Sequence, residues 1–282
     1  MTDPVVLWLD GELVDPAAAA VAWNDHGLTV GDGVFETIEL RGGAAFALTR
    51  HLDRLERSCH GLGLDPPDRT RLSGAVDAVS SAWGTSGGRL RITVTSGAGP
   101  MGSERGDAAP TLIVSATSMT VQRDPTAVVV VPFTRNENGA LAGLKTTSYA
   151  ENVVALRLAR AVGAGEAVLA NTAGELCEGT GSNVFVGHDG VLVTPPLSSG
   201  CLAGVTRALL LEAMAAAGEP AVEAALPVGA LAGATEAFLV STGRHVQPIS
   251  HVDGVALPAA PGPLTERAAR IWARAYADEV DP

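Results

Sequence analysis

Apolar and polar residues alternate through 5–14 around Asp10-Gly11, a pattern that predicts two short strands joined by a hairpin turn. Alternation returns at 35–40, entered through Gly31 and Gly33; read locally, this is a tight turn before an edge strand. A helical period follows at 49–62, with Thr49 as N-cap, Leu52, Leu55 and Cys59 on one face, and Arg54 beside that stripe. A second helix is expected over 69–83, then strands at 89–95 and 111–116 around a flexible loop, 96–102. The continuous apolar run 127–131 suits a strand buried on both faces. After a loop at 132–138 comes Lys145, set at a strand-to-helix junction. Val153, Val154, Leu156, Leu158 and Ala159 supply the apolar face of the helix that follows. Strands at 166–170, 183–186 and 191–194, a helix at 204–217, a strand at 236–241 and a helix at 265–277 complete the chain. Strands and helices mix without the strict alternation of a doubly wound sheet. The expectation is an α+β chain of two domains, 1–117 and 125–282, joined by a linker at 118–124.

Composition narrows the function classes. The 282 residues are 46% hydrophobic but only 4% aromatic, so the core is built from Ala, Val and Leu. The formal charge is −12 and the basic residues are scattered, which argues against a nucleic-acid partner. An anionic ligand would have to be held by a few arginines and backbone amides. Cys59, Cys177 and Cys201 form no CxxC, consistent with reduced thiols. The amino terminus lacks a basic start before an apolar core, and no apolar run reaches the roughly 18 residues of a membrane helix. A cytoplasmic protein without a membrane segment is expected, and no metal-ligand set is evident.

Three stretches carry candidate chemistry. Gly143-Leu144-Lys145-Thr146-Thr147-Ser148-Tyr149 sets a lysine and a tyrosine four residues apart. Glu175-Leu176-Cys177-Glu178-Gly179-Thr180 places two carboxylates in a small-residue segment leading into a strand. Ser199-Gly200-Cys201-Leu202-Ala203-Gly204-Val205-Thr206-Arg207 is a glycine-rich turn opening onto a helix, where free amides and a partial positive charge can hold an anion. Read alone, each has a plain structural meaning: a surface lysine, a turn carboxylate, a helix N-cap. Arg54 alone reads also as a snorkelling arginine, and a core-packing role is the alternative for Tyr149.

Together with Asp32-Gly33-Val34-Phe35-Glu36-Thr37 and His51-Leu52-Asp53-Arg54-Leu55, these stretches resemble the class IV, or fold type IV, pyridoxal-phosphate enzymes over nearly the whole chain. That family includes branched-chain and D-amino acid aminotransferases and aminodeoxychorismate lyases. The resemblance implies a small N-terminal α/β domain and a larger C-terminal mixed, β-barrel-like domain with flanking helices, usually in a homodimer. It implies pyridoxal 5′-phosphate on Lys145 as a Schiff base, with Lys145 moving the substrate proton once displaced. Glu178 would keep the pyridine nitrogen protonated, with Glu175 as its local competitor. Tyr149 would meet the ring hydroxyl. Arg54, the amides of Val205 and Thr206 with the Thr206 hydroxyl, and Thr242 (or Ser241) would hold the phosphate. Phe35 and Thr37 would line the substrate pocket.

Gly31-Asp32-Gly33 is the form that D-amino acid-acting members and lyases share. The chain departs from them in having Phe35 where a tyrosine is usual. It also reads Thr95-Ser96-Gly97 where an arginine would clamp the substrate carboxylate. Arg91, Arg135 and Arg244 are the substitutes. The leading expectation is an aminotransferase acting between an amino acid or amine, of D-amino acid or (R)-amine type, and a 2-keto acid. The alternatives are aminodeoxychorismate lyase, releasing pyruvate and 4-aminobenzoate, and a catalytically silent binding homologue.

Overall fold

The computed structural model describes residues 4–282, which fall into two compact units. The first comprises the chain up to Thr120, Leu144–Tyr149 and Val280–Pro282; the second comprises Val121–Gly143 and Ala150–Glu279. The lysine stretch and the last three residues thus belong to the unit that the amino-terminal half begins.

The first unit is a six-stranded sheet with two helices on one face. Its elements are β1 (Val5–Leu9), β2 (Glu12–Val14), α1 (His26–Thr29), β3 (Gly33–Arg41), β4 (Ala44–Ala45), α2 (Leu48–Leu62), α3 (Arg69–Trp83), β5 (Gly88–Thr95) and β6 (Leu112–Thr117). The sheet order is β2-β1-β6-β5-β3-β4, with every pair antiparallel. Alternation sends Val34, Ile38 and Leu40 of β3, and Leu90, Ile92 and Val94 of β5, into one core with Leu52, Leu55 and Cys59 of α2 and Leu72, Val76 and Val79 of α3. Glu36 shares the parity of that buried face. Phe35, Thr37, Arg91 and Thr93 have the opposite parity.

Helix α2 corrects the expected cap. Its N-cap is Ala47, in the left-handed region at φ 55° with no side-chain bond, not Thr49. Asp281, from the end of the chain, performs the capping by accepting from the Thr49 N–H at 2.9 Å and hydroxyl at 2.6 Å. No local pattern could reveal an acceptor 232 residues away.

The second unit contains β7 (Thr126–Val130), α4 (Ala150–Ala161), β8 (Glu166–Ala170), β9 (Leu176–Gly179), β10 (Asn183–His188), β11 (Val191–Thr194), α5 (Val205–Ala216), β12 (Val222–Glu223), β13 (Glu236–Val240), β14 (Gln247–Val252), β15 (Val255–Ala256) and α6 (Pro263–Ala275). Its mixed sheet runs β12-β11-β10-β13-β14-β7-β8-β9, with β15 on β14; the pairs β14–β7, β7–β8 and β11–β12 are parallel. Val168 of β8 enters one core while its neighbours Ala167 and Leu169 enter another, so helices and loops cover both sheet faces.

Two sequence expectations change here. Only Val128 of β7 is fully buried; Val130 leans on one core and Ala127 and Val129 on the other. On α4 the buried face is Asn152, Ala155 and Ala159, whereas Val153 and Val154 are exposed. Small residues let α4 approach Ala167 and Leu169 of β8 closely, and that packing overrides the pull of the bulkier valines. Among the described residues no helix is long and apolar enough to cross a membrane.

Candidate active site

In the first unit the lysine stretch lies along the start of β3. Phe35 N–H donates to the Lys145 carbonyl at 2.9 Å, and Thr147 N–H donates to the Gly33 carbonyl at 2.8 Å. The Thr147 and Ser148 hydroxyls both donate to the Gly31 carbonyl at 3.0 Å. Lys145 is therefore set on a short antiparallel bridge, Val34 to Thr146, five residues ahead of α4 and not at a strand-to-helix junction. This approach explains the glycines. A Cβ on Gly31 would meet Ser148 Oγ at 2.7 Å; one on Gly33 would meet Thr147 Oγ1 at 3.0 Å and, from β5, the Val94 carbonyl at 2.7 Å. Gly31 also holds φ at 70°, the left-handed region.

The lysine amine stands 4.3 Å from the Phe35 ring centroid and 5.9 Å from that of Tyr149, and the two rings meet edge to face at 5.3 Å. The Arg91 guanidinium lies 3.8 Å from the same Phe35 centroid. Register accounts for this: Phe35 pairs with Thr93 and Thr37 with Arg91, so Arg91 is the diagonal neighbour of Phe35 on one sheet face. Arg91 Nε donates to Thr93 Oγ1 at 3.1 Å, and among the described residues no carboxylate pairs with it. Burial pulls its pKa down, against the favourable field of Tyr149. Lys145, Tyr149, Phe35, Thr37 and Arg91 are thus brought together.

Arg54 sits on the other face of β3. Its Nε and Nη2 donate to the two oxygens of Glu36 at 2.8 and 2.6 Å, and His51 Nδ1 is 2.7 Å from the same carboxylate. Burial would raise Glu36, but the charge and hydrogen bonds of Arg54, with the bond to His51, hold its pKa down at about 2. Burial lowers the pKa of His51, assisted by the charges of Arg54 and Lys145 and opposed by Glu36. Sequence reasoning quoted Glu36 and His51 without giving them a role. Their alternation and helical spacing from Phe35 and Arg54 were the available signals. It also missed Arg105, whose guanidinium grips both oxygens of Asp32 at 2.6 Å and the carbonyl of Leu62 at 2.8 Å.

In the second unit Glu178 lies on β9, a strand the sequence did not suggest. One carboxylate oxygen accepts from the Leu202 N–H at 2.9 Å; the other is 3.5 Å from Arg135 Nε. Glu175, its sequence competitor, is instead bound by Asn171 Nδ2 at 3.0 Å within a turn. Arg135 also binds Glu151 at 2.5 Å and Asn152 Oδ1 at 3.1 Å. Arg244 bonds Gln247, and its Nη2 reaches Glu166 at 3.2 Å. Of the three substitute arginines, two are occupied by partners of their own unit.

Helix α5 starts at Gly204, which provides no side-chain cap, and Val205 and Thr206 of its first turn are buried. Arg207 Nε, in the same turn, is buried without a hydrogen-bond partner. Ser241 and Thr242 lie in a turn closed by Arg244 and His245 N–H donating to the Ser241 carbonyl at 3.1 and 2.8 Å.

The family model "Amino-transferase class IV" matches residues 33–252. The chain is 32% identical over 281 residues to a branched-chain-amino-acid aminotransferase of Pseudomonas aeruginosa, covering 95% of this chain and 91% of that protein. It is 31% identical over 278 residues to a bifunctional aminodeoxychorismate lyase / D-amino acid transaminase of Mycobacterium tuberculosis, covering 91% and 94%. A solved structure titled a hypothetical aminotransferase from Mycobacterium tuberculosis, PLP-bound form, superposes with a TM-score of 0.88 at 30% identity, covering 97% of this chain and all of that one.

Proposed function

This chain belongs to the class IV aminotransferases, which work with pyridoxal 5′-phosphate, and from that premise we propose that it moves an amino group between a D-amino acid and a 2-keto acid. The observation that carries the reading is the pair of cations on one aromatic ring, the Lys145 amine at 4.3 Å and the Arg91 guanidinium at 3.8 Å from the Phe35 centroid. A proton carrier beside an arginine that pairs with no carboxylate among the described residues suits a substrate bearing both an amine and a carboxylate.

The residues fit the cofactor. Glu178 is a nearly buried carboxylate fixed by an N–H and a cation, suited to a pyridine nitrogen. The first turn of α5 has no side-chain cap to compete with a phosphate. When bound, pyridoxal 5′-phosphate supplies an aldehyde that captures an amine and a ring that accepts the electron pair left at the substrate α-carbon. In this proposal Lys145 holds the aldehyde carbon and later carries the substrate proton, and Tyr149 donates toward the ring hydroxyl. Glu178 keeps the proton on the ring nitrogen. Arg54 anchors the phosphate together with the Val205 and Thr206 amides, the Thr206 hydroxyl and Thr242. Glu36 and His51 orient Arg54. Arg91 takes the substrate carboxylate, with Phe35 and Thr37 lining the pocket beside it.

A second reading, aminodeoxychorismate lyase, draws on the Gly31-Asp32-Gly33 form and on the bifunctional relative. Half-reactions separate the two. D-alanine, L-leucine, L-glutamate and an (R)-amine are each added to the holoenzyme while its visible spectrum is followed. Bleaching by D-alanine above the others supports the proposal; no bleaching, with 4-aminobenzoate and pyruvate formed from aminodeoxychorismate, replaces it with the lyase. Lys145→Ala should abolish both the cofactor's bound absorbance and turnover, and retained turnover would overturn the mechanism.

A cytoplasmic homodimer completes the proposal. Trp23, Leu28 and Met101 are each more than 70% exposed, on segments tied together by Asn24 and His26 to Gly99 and Pro100, and offer apolar surface to a second copy. Light scattering should give twice the mass of one 28.6 kDa chain.

A further inference from the structure

Arg135 was a candidate for holding a substrate carboxylate, but its surroundings give it a different task. It leaves β7 on a loop whose backbone is pinned where Arg135 N–H donates to the Ala170 carbonyl at 2.8 Å. Its guanidinium is then held along two directions, by Glu151 at 2.5 Å and Asn152 Oδ1 at 3.1 Å, both on α4. Asn152 in turn donates to the Thr180 carbonyl at 2.5 Å, two residues beyond Glu178. The remaining nitrogen, Nε, is buried, has no hydrogen-bond partner, and lies 3.5 Å from Glu178 Oε1. That spacing is too long for a good hydrogen bond but close for two opposite charges.

We infer that Arg135 is a positioning residue that biases the proton shared by Glu178 and the cofactor's ring nitrogen toward the nitrogen. This rests on the reading of Glu178 as the ring-nitrogen partner. The physical reason is a choice between two neutral arrangements of one proton. With the proton on the nitrogen, Glu178 is an anion and gains from the guanidinium beside it. With the proton on Glu178, that gain disappears. The Leu202 N–H on the other oxygen acts in the same sense. Glu151 acts against it, because it takes up part of the Arg135 charge. Glu178 also raises the pKa of the neighbouring thiols Cys177 and Cys201, for which burial is the larger cause, so both stay neutral beside it. Arg135 is thus a fixed cation set against Glu178, moderated by one carboxylate on α4.

The test is the ¹⁵N resonance of ring-labelled cofactor in the holoenzyme. Arg135→Gln should move the resonance toward the unprotonated pyridine position, and Arg135→Lys should recover most of that shift. Glu151→Gln releases the guanidinium from its competing carboxylate and should move the resonance the opposite way, or leave it at the fully protonated limit. This arm remains decisive if Arg135→Gln holds cofactor poorly. Glu178→Gln is the control for the underlying reading and should give the largest shift toward the unprotonated position. If Glu178→Gln shifts the resonance but Arg135→Gln does not, Arg135 is only a structural brace and the inference fails alone. A resonance unmoved by Glu178→Gln removes the premise. Movement toward the unprotonated position in Glu151→Gln would overturn the inference directly.

Discussion

Glu36 in the first unit and Glu166 in the second are both buried carboxylates on strands, and each is paired with an arginine that the sequence singled out. They are neutralised differently. Glu36 receives both N–H groups of one guanidinium edge of Arg54, Nε and Nη2, and a histidine, so a full cation opposes the charge. Glu166 receives Thr180 N–H and its hydroxyl, the Ser182 hydroxyl at 3.1 Å and the Ala167 N–H at 3.1 Å, with Arg244 reaching one oxygen at 3.2 Å. The lesson concerns which arginine can serve a ligand. Arg54 is gripped by one carboxylate in a rigid bidentate geometry that fixes where the guanidinium points. Arg244 is divided among Gln247, Glu166 and the Gly165 carbonyl, which makes it a brace within its own unit.

The sharpest way to break this comparison is to remove each charge in turn. Glu36→Gln leaves Arg54 a buried cation without its counter-charge and should cost about 3–5 kcal/mol in urea denaturation. Glu166→Gln keeps most of its neutral donors near an acceptor and should cost about 1–3 kcal/mol. Equal losses would show that the two clusters work alike. A smaller effect separates the arginines. Arg54→Lys loses the fork and should weaken cofactor binding about tenfold, the equivalent of roughly 1.4 kcal/mol. Arg244→Lys should leave cofactor affinity within about twofold while lowering the melting temperature.

The same comparison extends to the pH dependence. Glu36, at about 2 in the fold and near 4.5 when unfolded, contributes stability that is complete above the higher value and lost as pH falls toward the lower. His51, lowered by burial, resists a proton that the unfolded chain accepts below about 6.5, so it too costs stability on acidification. Melting temperature should fall more steeply with acid in the wild type than in a Glu36→Gln, His51→Gln double variant; parallel slopes would assign the acid sensitivity elsewhere.

Much of the fold was legible because its local signals agree. The 69–83 helix coincides with α3 residue for residue, and Asp10-Gly11 makes the turn between β1 and β2. The candidate residues of the first unit were legible as motifs, but their arrangement was not. That Gly31 serves the close passage of Ser148, and Gly33 the close approach of both β5 and Thr147, depends on pairing between segments distant in the chain. The β9 strand under Glu178 was hidden because Cys177, Glu178 and Gly179 lack alternation, and its extended form comes from pairing with β8. Arg135 and Arg244 could be named as cations near motifs, but sequence spacing could not supply the partners that occupy them.

Residues 280–282 give the first unit a schedule as well as a shape. Ala47 N–H donates to the Val280 carbonyl at 2.7 Å, Asp281 caps Thr49, and Arg50 Nε reaches the Pro282 carbonyl at 2.7 Å. The first turn of α2, the helix that carries His51 and Arg54, is thus completed by atoms made 232 residues later in translation. At about 5–20 residues per second the ribosome needs on the order of ten seconds or more after Thr120 to deliver them. Through that interval the nascent first unit has neither its lysine bridge, until residue 149 emerges, nor its helix cap. The unit begun first is therefore finished last, and a gene fragment ending at Thr120 should yield a chain that lacks both.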